Sequence, residues 1–197
     1  MRCRPSAPSP APIRLAALGT SLTHDYTWPD AVAARLGERL GRDVDLVRIA
    51  RPGATSSWGR SVVTTTADLP ATDVVLVEFL ANDSDLLDWM TVRESRENHV
   101  AIIRSLRGRI RGCQQPAIVL MTMNPVHGAR GLLRHRLPAF EGMYAELARR
   151  AGVGLLDLRD RWDPRERFRD GLHPTDDQAN AVIPPAVVDY LTPLLRA

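Results

Sequence analysis

The chain has 197 residues, 44% of them hydrophobic and 25% charged, which is typical of a one-domain globular protein that needs no disulfide or metal to fold. Its formal net charge is only +3, and its arginines are interspersed with acidic residues, so no basic stripe indicates nucleic-acid binding. No run approaches the roughly 18 apolar residues of a membrane-spanning helix, so no such helix is predicted.

The first dozen residues are rich in proline, serine and arginine. Prolines interrupt any apolar run of the length that a secretory signal requires, roughly 7–15 residues. We therefore expect residues 1–12 to be a disordered leader, residues 13–197 to form the domain, and the protein to be cytoplasmic. The two cysteines, Cys3 and Cys113, have no metal-binding spacing and are expected to be free thiols.

Apolar runs of strand length alternate with longer stretches of helical period along the rest of the chain. The predicted strands are Ile13–Leu18, Val44–Ile49, Asp73–Phe79, Ala117–Met121 and Val153–Leu158. The predicted helices are one that opens at Trp28 and Pro29, Val92–Ile110, an apolar stripe from Leu133 to Ala151, and Val187–Leu195. This alternation predicts a five-stranded parallel sheet covered on both faces, a three-layer α/β/α fold.

Five candidate site residues follow the predicted strands. Ser21 comes after the first strand, Gly53 after the second, Asn82 after the third, and Asp170 and His173 after the fifth. In open α/β sheets, ligands bind outside the carboxyl ends of the strands. Because all five residues fall at this edge, we expect them to form one site.

Three of these residues have the chemistry of nucleophilic catalysis. A serine hydroxyl is a weak nucleophile until an imidazole takes its proton, and a carboxylate orients that imidazole. Asp170 precedes His173 by three residues, close enough in a tight turn to accept a hydrogen bond from the ring. Ser21, His173 and Asp170 therefore predict acyl transfer through a serine ester.

Four short segments carry a resemblance that covers the chain from Ile13 onward. The segments are Gly19-Thr20-Ser21-Leu22, Arg51-Pro52-Gly53-Ala54-Thr55-Ser56, Ala81-Asn82-Asp83 and Asp170-Gly171-Leu172-His173-Pro174. They resemble the four sequence blocks of the SGNH (GDSL-type) hydrolases. The resemblance implies a flavodoxin-like fold, with Ser21 as nucleophile, His173 as base and Asp170 as its orienting acid. It also implies an oxyanion hole formed by the backbone N–H groups of Ser21 and Gly53 and the side-chain amide of Asn82.

The sequence departs from the family pattern at three positions. Thr20 stands where the family usually has Asp, Leu80 where Gly is usual, and Arg48 where a second-block Asn is frequent. None of the three removes a member of the triad. They bear on substrate preference and on the geometry of the loops.

Each candidate also has a simpler structural interpretation. Ser21 and Asn82 could be helix caps, Gly53 a turn residue, and Asp170 and His173 a hydrogen-bonded pair in a loop. His24 and Asp25 are expected in a loop near the pocket mouth, outside the catalytic set. The remaining histidines are not expected to be catalytic; these are His99, His127 and His135.

Aromatic residues near the blocks pack more often in a core than in a substrate cleft. These are Tyr26, Trp28, Trp58 and Trp89.

We therefore predict a serine esterase that hydrolyses a small carboxylic ester with a short acyl chain, an acetylated sugar being one candidate. The same triad would serve an acyltransferase, a thioesterase or a lysophospholipase, and an inactive relative that only binds acylated ligands is a non-enzymatic alternative. The Gly-x-Ser-x-Gly elbow of α/β-hydrolases is absent around Ser21. No spacing of metal ligands suggests a phosphoesterase, so neither metal nor cofactor is expected. The oligomeric state stays open.

Overall fold

A computed structural model describes residues 11–66, 70–109 and 114–196. Five strands form one sheet, with the order β2-β1-β3-β4-β5 and every neighbouring pair parallel. The strands are β1 (Ile13–Gly19), β2 (Val44–Ala50), β3 (Val74–Val77), β4 (Ala117–Met121) and β5 (Gly154–Leu156). The predicted five-stranded α/β fold is confirmed.

Helices connect the strands and cover both faces of the sheet. They are α1 (Ser21–His24), α2 (Trp28–Leu40), α3 (Ser56–Thr65), α4 (Leu80–Asp83), α5 (Val92–Arg107), α6 (Gly128–Leu133), α7 (Leu137–Ala151) and α8 (Asp176–Arg196). Short 3₁₀ turns lie at Leu86–Asp88 and Arg159–Arg161. No helix in the described ranges is both long and apolar enough to cross a membrane.

Alternate residues of the strands point into two separate cores. On one face, Leu15 and Leu76 pack with Trp28 of α2 and Leu191 of α8. On the other face, strand residues including Leu18 pack with side chains of α5 and α7. A parallel sheet buried on both faces explains why its strands read as nearly continuous apolar runs.

The strand order places a crevice beside the end of β1. β2 pairs with one edge of β1 and β3 with the other, so the chain leaves β1 in one direction and later returns on its opposite side. Such a reversal opens a crevice at the carboxyl ends of the strands. Ser21 lies two positions after the end of β1, at this edge of the sheet.

Two helices differ from the sequence prediction. α3 was not predicted, because its only buried side chains are Ser56, Gly59 and Val63, too few apolar positions for a clear stripe. α8 begins at Asp176 and not at Val187, and it continues through Pro184 and Pro185. Proline inside a helix removes a backbone hydrogen bond, but α8 buries its apolar face against α2, and this packing offsets the loss.

The other differences are in element boundaries. The apolar stripe from Leu133 to Ala151 belongs to α7 only from Leu137, since α6 ends at Leu133. α5 begins with a capping box at Thr91 and ends at Arg107, and the predicted end at Ile110 lies outside the described residues. Cys3, Cys113 and the first ten residues of the expected leader also lie outside them.

Candidate active site

Ser21 is the first residue of α1, and Thr20 joins it to the end of β1. Thr20 has extended backbone angles, and its hydroxyl accepts a hydrogen bond from the Leu22 N–H, so Thr20 is the helix cap. The interpretation of Ser21 as a cap is therefore wrong. Its hydroxyl is left to interact elsewhere, and the residue is 8% exposed at the edge of the sheet.

Ser21, His173 and Asp170 form a continuous hydrogen-bonded chain. Ser21 Oγ lies 2.9 Å from His173 Nε2, and His173 Nδ1 lies 2.7 Å from Asp170 Oδ2. Burial by itself would raise the pKa of Asp170, but hydrogen bonds from the His173 N–H, the His173 ring and the Leu172 N–H hold it well below its usual value. Asp170 is thus a carboxylate that accepts from Nδ1–H and leaves Nε2 free to accept the serine proton.

The loop that carries Asp170 and His173 is fixed from three sides. Gly171 has a φ of +81°, and a Cβ at this position would overlap the carbonyl oxygen of His127, whose N–H donates to the Gly171 carbonyl at 2.7 Å. Asn124, just after β4, donates to the Leu172 carbonyl at 2.6 Å. Tyr26 donates to the Pro174 carbonyl at 2.8 Å. The loop therefore has little freedom to move the imidazole away from Ser21.

Gly53 and Asn82 lie on two segments that are tied to each other. Gly53 has a φ of +69° with open space where a Cβ would stand, and the Asn82 amide donates to the Ala54 carbonyl at 2.9 Å. Within the described residues, the backbone N–H groups of Ser21 and Gly53 donate to no protein acceptor. The helix cap of α4 is Phe79, so the interpretation of Asn82 as a cap is wrong.

A buried hydrogen-bond network holds the segment that contains Asn82. The sequence did not indicate this network. Asp83 accepts from the Ser56 N–H at 2.7 Å and from the Ser95 hydroxyl at 2.5 Å. His99 is fully buried and is hydrogen-bonded to the Tyr144 hydroxyl at 2.8 Å. Burial lowers the pKa of His99, so this histidine is neutral and structural, in agreement with its exclusion from the catalytic set.

Glu78, at the end of β3, is a second residue that sequence reasoning missed. It is 2% exposed, and its carboxyl group accepts from the Thr20 N–H and the Thr23 hydroxyl, each at 2.6 Å. Burial raises its pKa to about 7, although these hydrogen bonds act in the opposite direction. A glutamate inside an otherwise apolar strand run is a signal that could have been used, because buried carboxylates are rare without partners.

Two arginines brace the loops around the site. Arg48 of β2 donates to the carbonyl oxygens of His24 and Tyr26 at 3.1 and 3.0 Å and pairs with Asp30. Arg48, which stands where the family frequently has Asn, thus holds the end of α1 and the segment that follows it. Arg134 is buried, donates to the Ala81 carbonyl at 2.7 Å and pairs with Asp85.

The remaining candidates have separate positions. His24 lies in α1 and is hydrogen-bonded to Asp25 at 2.6 Å, with both side chains about half exposed. Trp28 and Tyr26 are buried, as expected for core aromatics, whereas Trp89 is 88% exposed. Trp58 is half-buried and lies edge-on to Phe79. His127 precedes α6 with its ring beside Phe168.

The sequence matches the GDSL-like Lipase/Acylhydrolase family over residues 17–179. The chain belongs to this family. The GDSL-type assignment made from the four sequence blocks is confirmed, as is the prediction of an enzyme that acts on ester bonds. In the described ranges, no group of three or more His, Cys, Asp or Glu side chains is placed to hold a metal ion.

Solved structures share the fold at low sequence identity. The lipase/acylhydrolase from Enterococcus faecalis has a TM-score of 0.78 at 20% identity, with 92% of this chain and 96% of that chain covered. Est24, a carbohydrate acetylesterase from Sinorhizobium meliloti, has a TM-score of 0.75 at 18% identity, with 92% and 99% covered. The aryl esterase of M. smegmatis has a TM-score of 0.70 at 16% identity, also with 92% and 99% covered. No curated protein matches the sequence.

Proposed function

We propose that this GDSL-family chain is a serine esterase that hydrolyses short-chain carboxylic esters through an acyl-Ser21 intermediate. The observation that carries the proposal is the hydrogen-bonded chain from Ser21 Oγ through the His173 ring to Asp170, with distances of 2.9 and 2.7 Å. These are the contacts that a nucleophile, its general base and the orienter of that base require.

In the acylation half of the reaction, Ser21 Oγ attacks the ester carbonyl carbon while His173 Nε2 accepts the serine proton. Asp170 stabilises the imidazolium that forms, because it is ionised and accepts from Nδ1. The imidazolium then donates its proton to the leaving alcohol. In the second half, His173 Nε2 takes a proton from the water that attacks the acyl carbon. The imidazolium then donates this proton to Ser21 Oγ as the carbon–Oγ bond breaks, which releases the acid and restores the free serine.

Negative charge on the carbonyl oxygen requires donors that are already in place. The backbone N–H groups of Ser21 and Gly53 are available for this, since they make no protein hydrogen bond in the described parts of the chain. The Asn82 amide has two N–H donors, and one of them is used by the Ala54 carbonyl. We assign the other to the oxyanion, so Asn82 would serve both the substrate and the loop that carries Gly53.

The openness of the site supports a short acyl group and hydrolysis. The side chains of His173 and Asp170 are 34% and 38% exposed, so water can reach an acyl group on Ser21 without a lid having to open. One of the similar folds is named as a carbohydrate acetylesterase, a name that refers to a two-carbon acyl group. A thioesterase, a lysophospholipase or an acyltransferase would use the same residues and is decided by assay.

The test is hydrolysis of p-nitrophenyl esters of increasing acyl length by the wild type and by Ser21→Ala. We expect kcat/KM to be highest for acetyl or butyryl esters and kcat of the variant to fall by roughly 10⁴–10⁶. The melting temperature should be unchanged, because the substitution removes one oxygen atom and α1 keeps its Thr20 cap. A serine-directed phosphonate should add its mass to the wild type and not to the variant.

The matched control is Ser61→Ala, on the exposed surface of α3, which should retain full activity. A Ser21→Ala enzyme that kept a tenth or more of the wild-type rate would overturn the assignment of the nucleophile. An optimum at long acyl chains would overturn the short-chain specificity and leave the triad in place. Faster product formation with an added alcohol than with water would favour an acyltransferase.

A further inference from the structure

A buried carboxyl group lies beneath the turn that carries Ser21. Glu78 follows β3, its N–H donates to the Leu18 carbonyl of β1 at 3.0 Å, and the residue is 2% exposed. A carboxyl group is costly to bury unless hydrogen bonds compensate for the lost water. The position of Glu78 therefore depends on what donates to it.

In the part of the chain that the structure describes, the donors to Glu78 come from Thr20 and Thr23, on either side of Ser21. The Thr20 N–H and the Thr23 hydroxyl donate to Glu78 Oε1 at 2.6 Å, and the Thr20 hydroxyl lies 3.1 Å from both carboxyl oxygens. Thr20 and Thr23 bracket Ser21 in the chain. One side chain, from the residue after β3, thus holds both ends of the turn that contains Ser21.

Hydrogen bonds within α1 set the direction of the peptide group between Thr20 and Ser21, and Glu78 binds Thr20 and Thr23 on either side of Ser21. The Thr20 N–H donates to Glu78. The Thr20 carbonyl accepts from the N–H groups of Thr23 and His24 at 3.2 and 2.9 Å. In a planar trans peptide the C=O and the N–H point in opposite directions. Since the Thr20 carbonyl is directed into α1, the Ser21 N–H is directed away from it.

Gly19 makes room for the same carboxyl group. A Cβ at this position would overlap Glu78 Oε1 and come within 2.6 Å of Thr23 Oγ1. The glycine of the first sequence block is therefore required here by close approach of the Glu78 side chain, although its φ is not positive. Thr20 occupies the usual place of an Asp, and the carboxyl group beside the turn comes from Glu78, which follows β3.

From these contacts we infer that Glu78 is a positioning residue for the nucleophile, holding Ser21 so that its hydroxyl meets His173 and its N–H faces the developing oxyanion. The inference rests on the proposed role of Ser21 and adds a residue that does not touch substrate. A reacting atom displaced by about 1 Å can cost about 10²-fold in rate. Loss of Glu78 should therefore lower kcat and leave KM nearly unchanged.

The first experiment compares Glu78→Leu with Glu78→Gln. Leucine has similar volume and accepts no hydrogen bond, so we expect kcat on p-nitrophenyl acetate to fall about 10²-fold. Glutamine keeps one carbonyl oxygen for the Thr20 N–H and the Thr23 hydroxyl, and it should retain kcat within about threefold. The rate of phosphonate labelling of Ser21 should follow kcat in both variants.

A second pair of variants tests the same contact from the other side, so the result does not depend on Glu78→Leu being folded. Thr23→Val removes one donor to Glu78 at constant shape and should lower kcat about tenfold, whereas Thr23→Ser should restore it. The matched control is Thr192→Val in α8. Thr192 is also buried, and its hydroxyl donates to the Val188 carbonyl. The kcat of this variant should be unchanged.

The outcomes separate this inference from the proposed function. If Ser21→Ala is inactive but Glu78→Leu and Thr23→Val keep wild-type kcat, the inference is overturned and the serine mechanism stands. Equal loss of kcat in Thr23→Val and Thr23→Ser would also overturn it. An active Ser21→Ala enzyme would instead overturn the proposed function. A loss of kcat that is confined to Glu78→Leu and Thr23→Val, with KM unchanged, supports the inference.

Discussion

At the scale of single residues, the role that we propose for Asn82 combines a structural contact with a chemical one. Its amide donates to the Ala54 carbonyl and so ties α4 to the segment that contains Gly53. Its remaining N–H is our third oxyanion donor. A donor that contacts only the oxyanion contributes to the transition state much more than to ground-state binding.

Asn82→Ala is therefore expected to lower kcat by roughly 10²–10³ and to leave KM nearly unchanged. The variant should also lose some stability, about 1 kcal/mol, because the Ala54 carbonyl loses its donor. Steady-state kinetics and thermal unfolding on the same preparation measure both effects. Asn82→Asp should be at least as damaging, since it places a carboxylate beside a developing negative charge.

The control for Asn82→Ala is Asn180→Ala in α8, whose amide bonds to Thr27 and Asp176. It should lose comparable stability and keep its kcat. An Asn82→Ala enzyme that is less stable but fully active would remove Asn82 from the oxyanion hole and leave it a structural tether.

At the scale of elements, Asp170 and His173 are positioned by the contacts of the loop that carries them more than by β5, which precedes it. β5 ends at Leu156, fourteen positions before Asp170, so the strand alone does not place the acid and the base. They are placed by contacts with the segment after β4, with the start of α6 and with Tyr26. Gly171 is the residue on which this arrangement depends most, because its backbone angle and its approach to His127 both exclude a side chain.

Gly171→Ala should therefore be both less stable and less active. An alanine at a φ of +81° is strained by roughly 1–2 kcal/mol, and its Cβ would push the loop away from His127. We expect kcat to fall at least tenfold, because Asp170 and His173 lie on either side of the substitution. Steady-state kinetics and denaturant unfolding measure the two effects.

Gly142→Ala is the matched control, because Gly142 lies inside α7 with open space around its Cβ position. This variant should be more stable by about 0.5–1 kcal/mol with unchanged kcat. Wild-type kinetics in Gly171→Ala would show that the loop does not fix the position of His173.

At the scale of the whole molecule, two buried ionisable groups couple folding to pH in opposite directions. Burial raises the pKa of Glu78 from 4.5 to about 7 and lowers the pKa of His99. Between pH 4.5 and 7 the folded protein holds a proton on Glu78 that the unfolded chain has released. The contribution of Glu78 to stability is thus fully present below pH 4.5 and is lost as the pH rises through about 7. His99 contributes the opposite slope below its ordinary pKa.

The difference between wild type and Glu78→Gln isolates the Glu78 contribution, since His99 is common to both. Relative to Glu78→Gln, the free energy of unfolding of the wild type should fall by about 3 kcal/mol between pH 4.5 and pH 8. Urea denaturation across this range measures the difference. Parallel pH profiles for the two proteins would show that Glu78 has an ordinary pKa in the folded state.

The sequence determined the features that depend on local pattern. Mostly apolar runs of strand length identified all five strands, and α2, α5 and α7 followed from apolar residues at helical spacing. Only the second half of α8 was predicted in this way. Because parallel strands end at one edge, the positions of the strands were enough to predict that Ser21, Gly53 and Asn82 lie on the same side of the sheet. Asp170 and His173 reach that side through a loop held by contacts with other segments. The expected leader, the cytoplasmic location and the absence of a cofactor stay predictions.

Tertiary structure alone decided the features that join distant positions. Glu78 and Thr20 are 58 residues apart and Asp83 and Ser56 are 27 apart, so no local spacing relates them. α8 continues through Pro184 because packing against α2 outweighs the helix propensity of that segment. A periodic pattern is set by the geometry of one element, whereas the partner of a buried polar group is set by which elements pack together. The candidate nucleophile Ser21 could therefore be proposed from the sequence, but its contact with Glu78 could not.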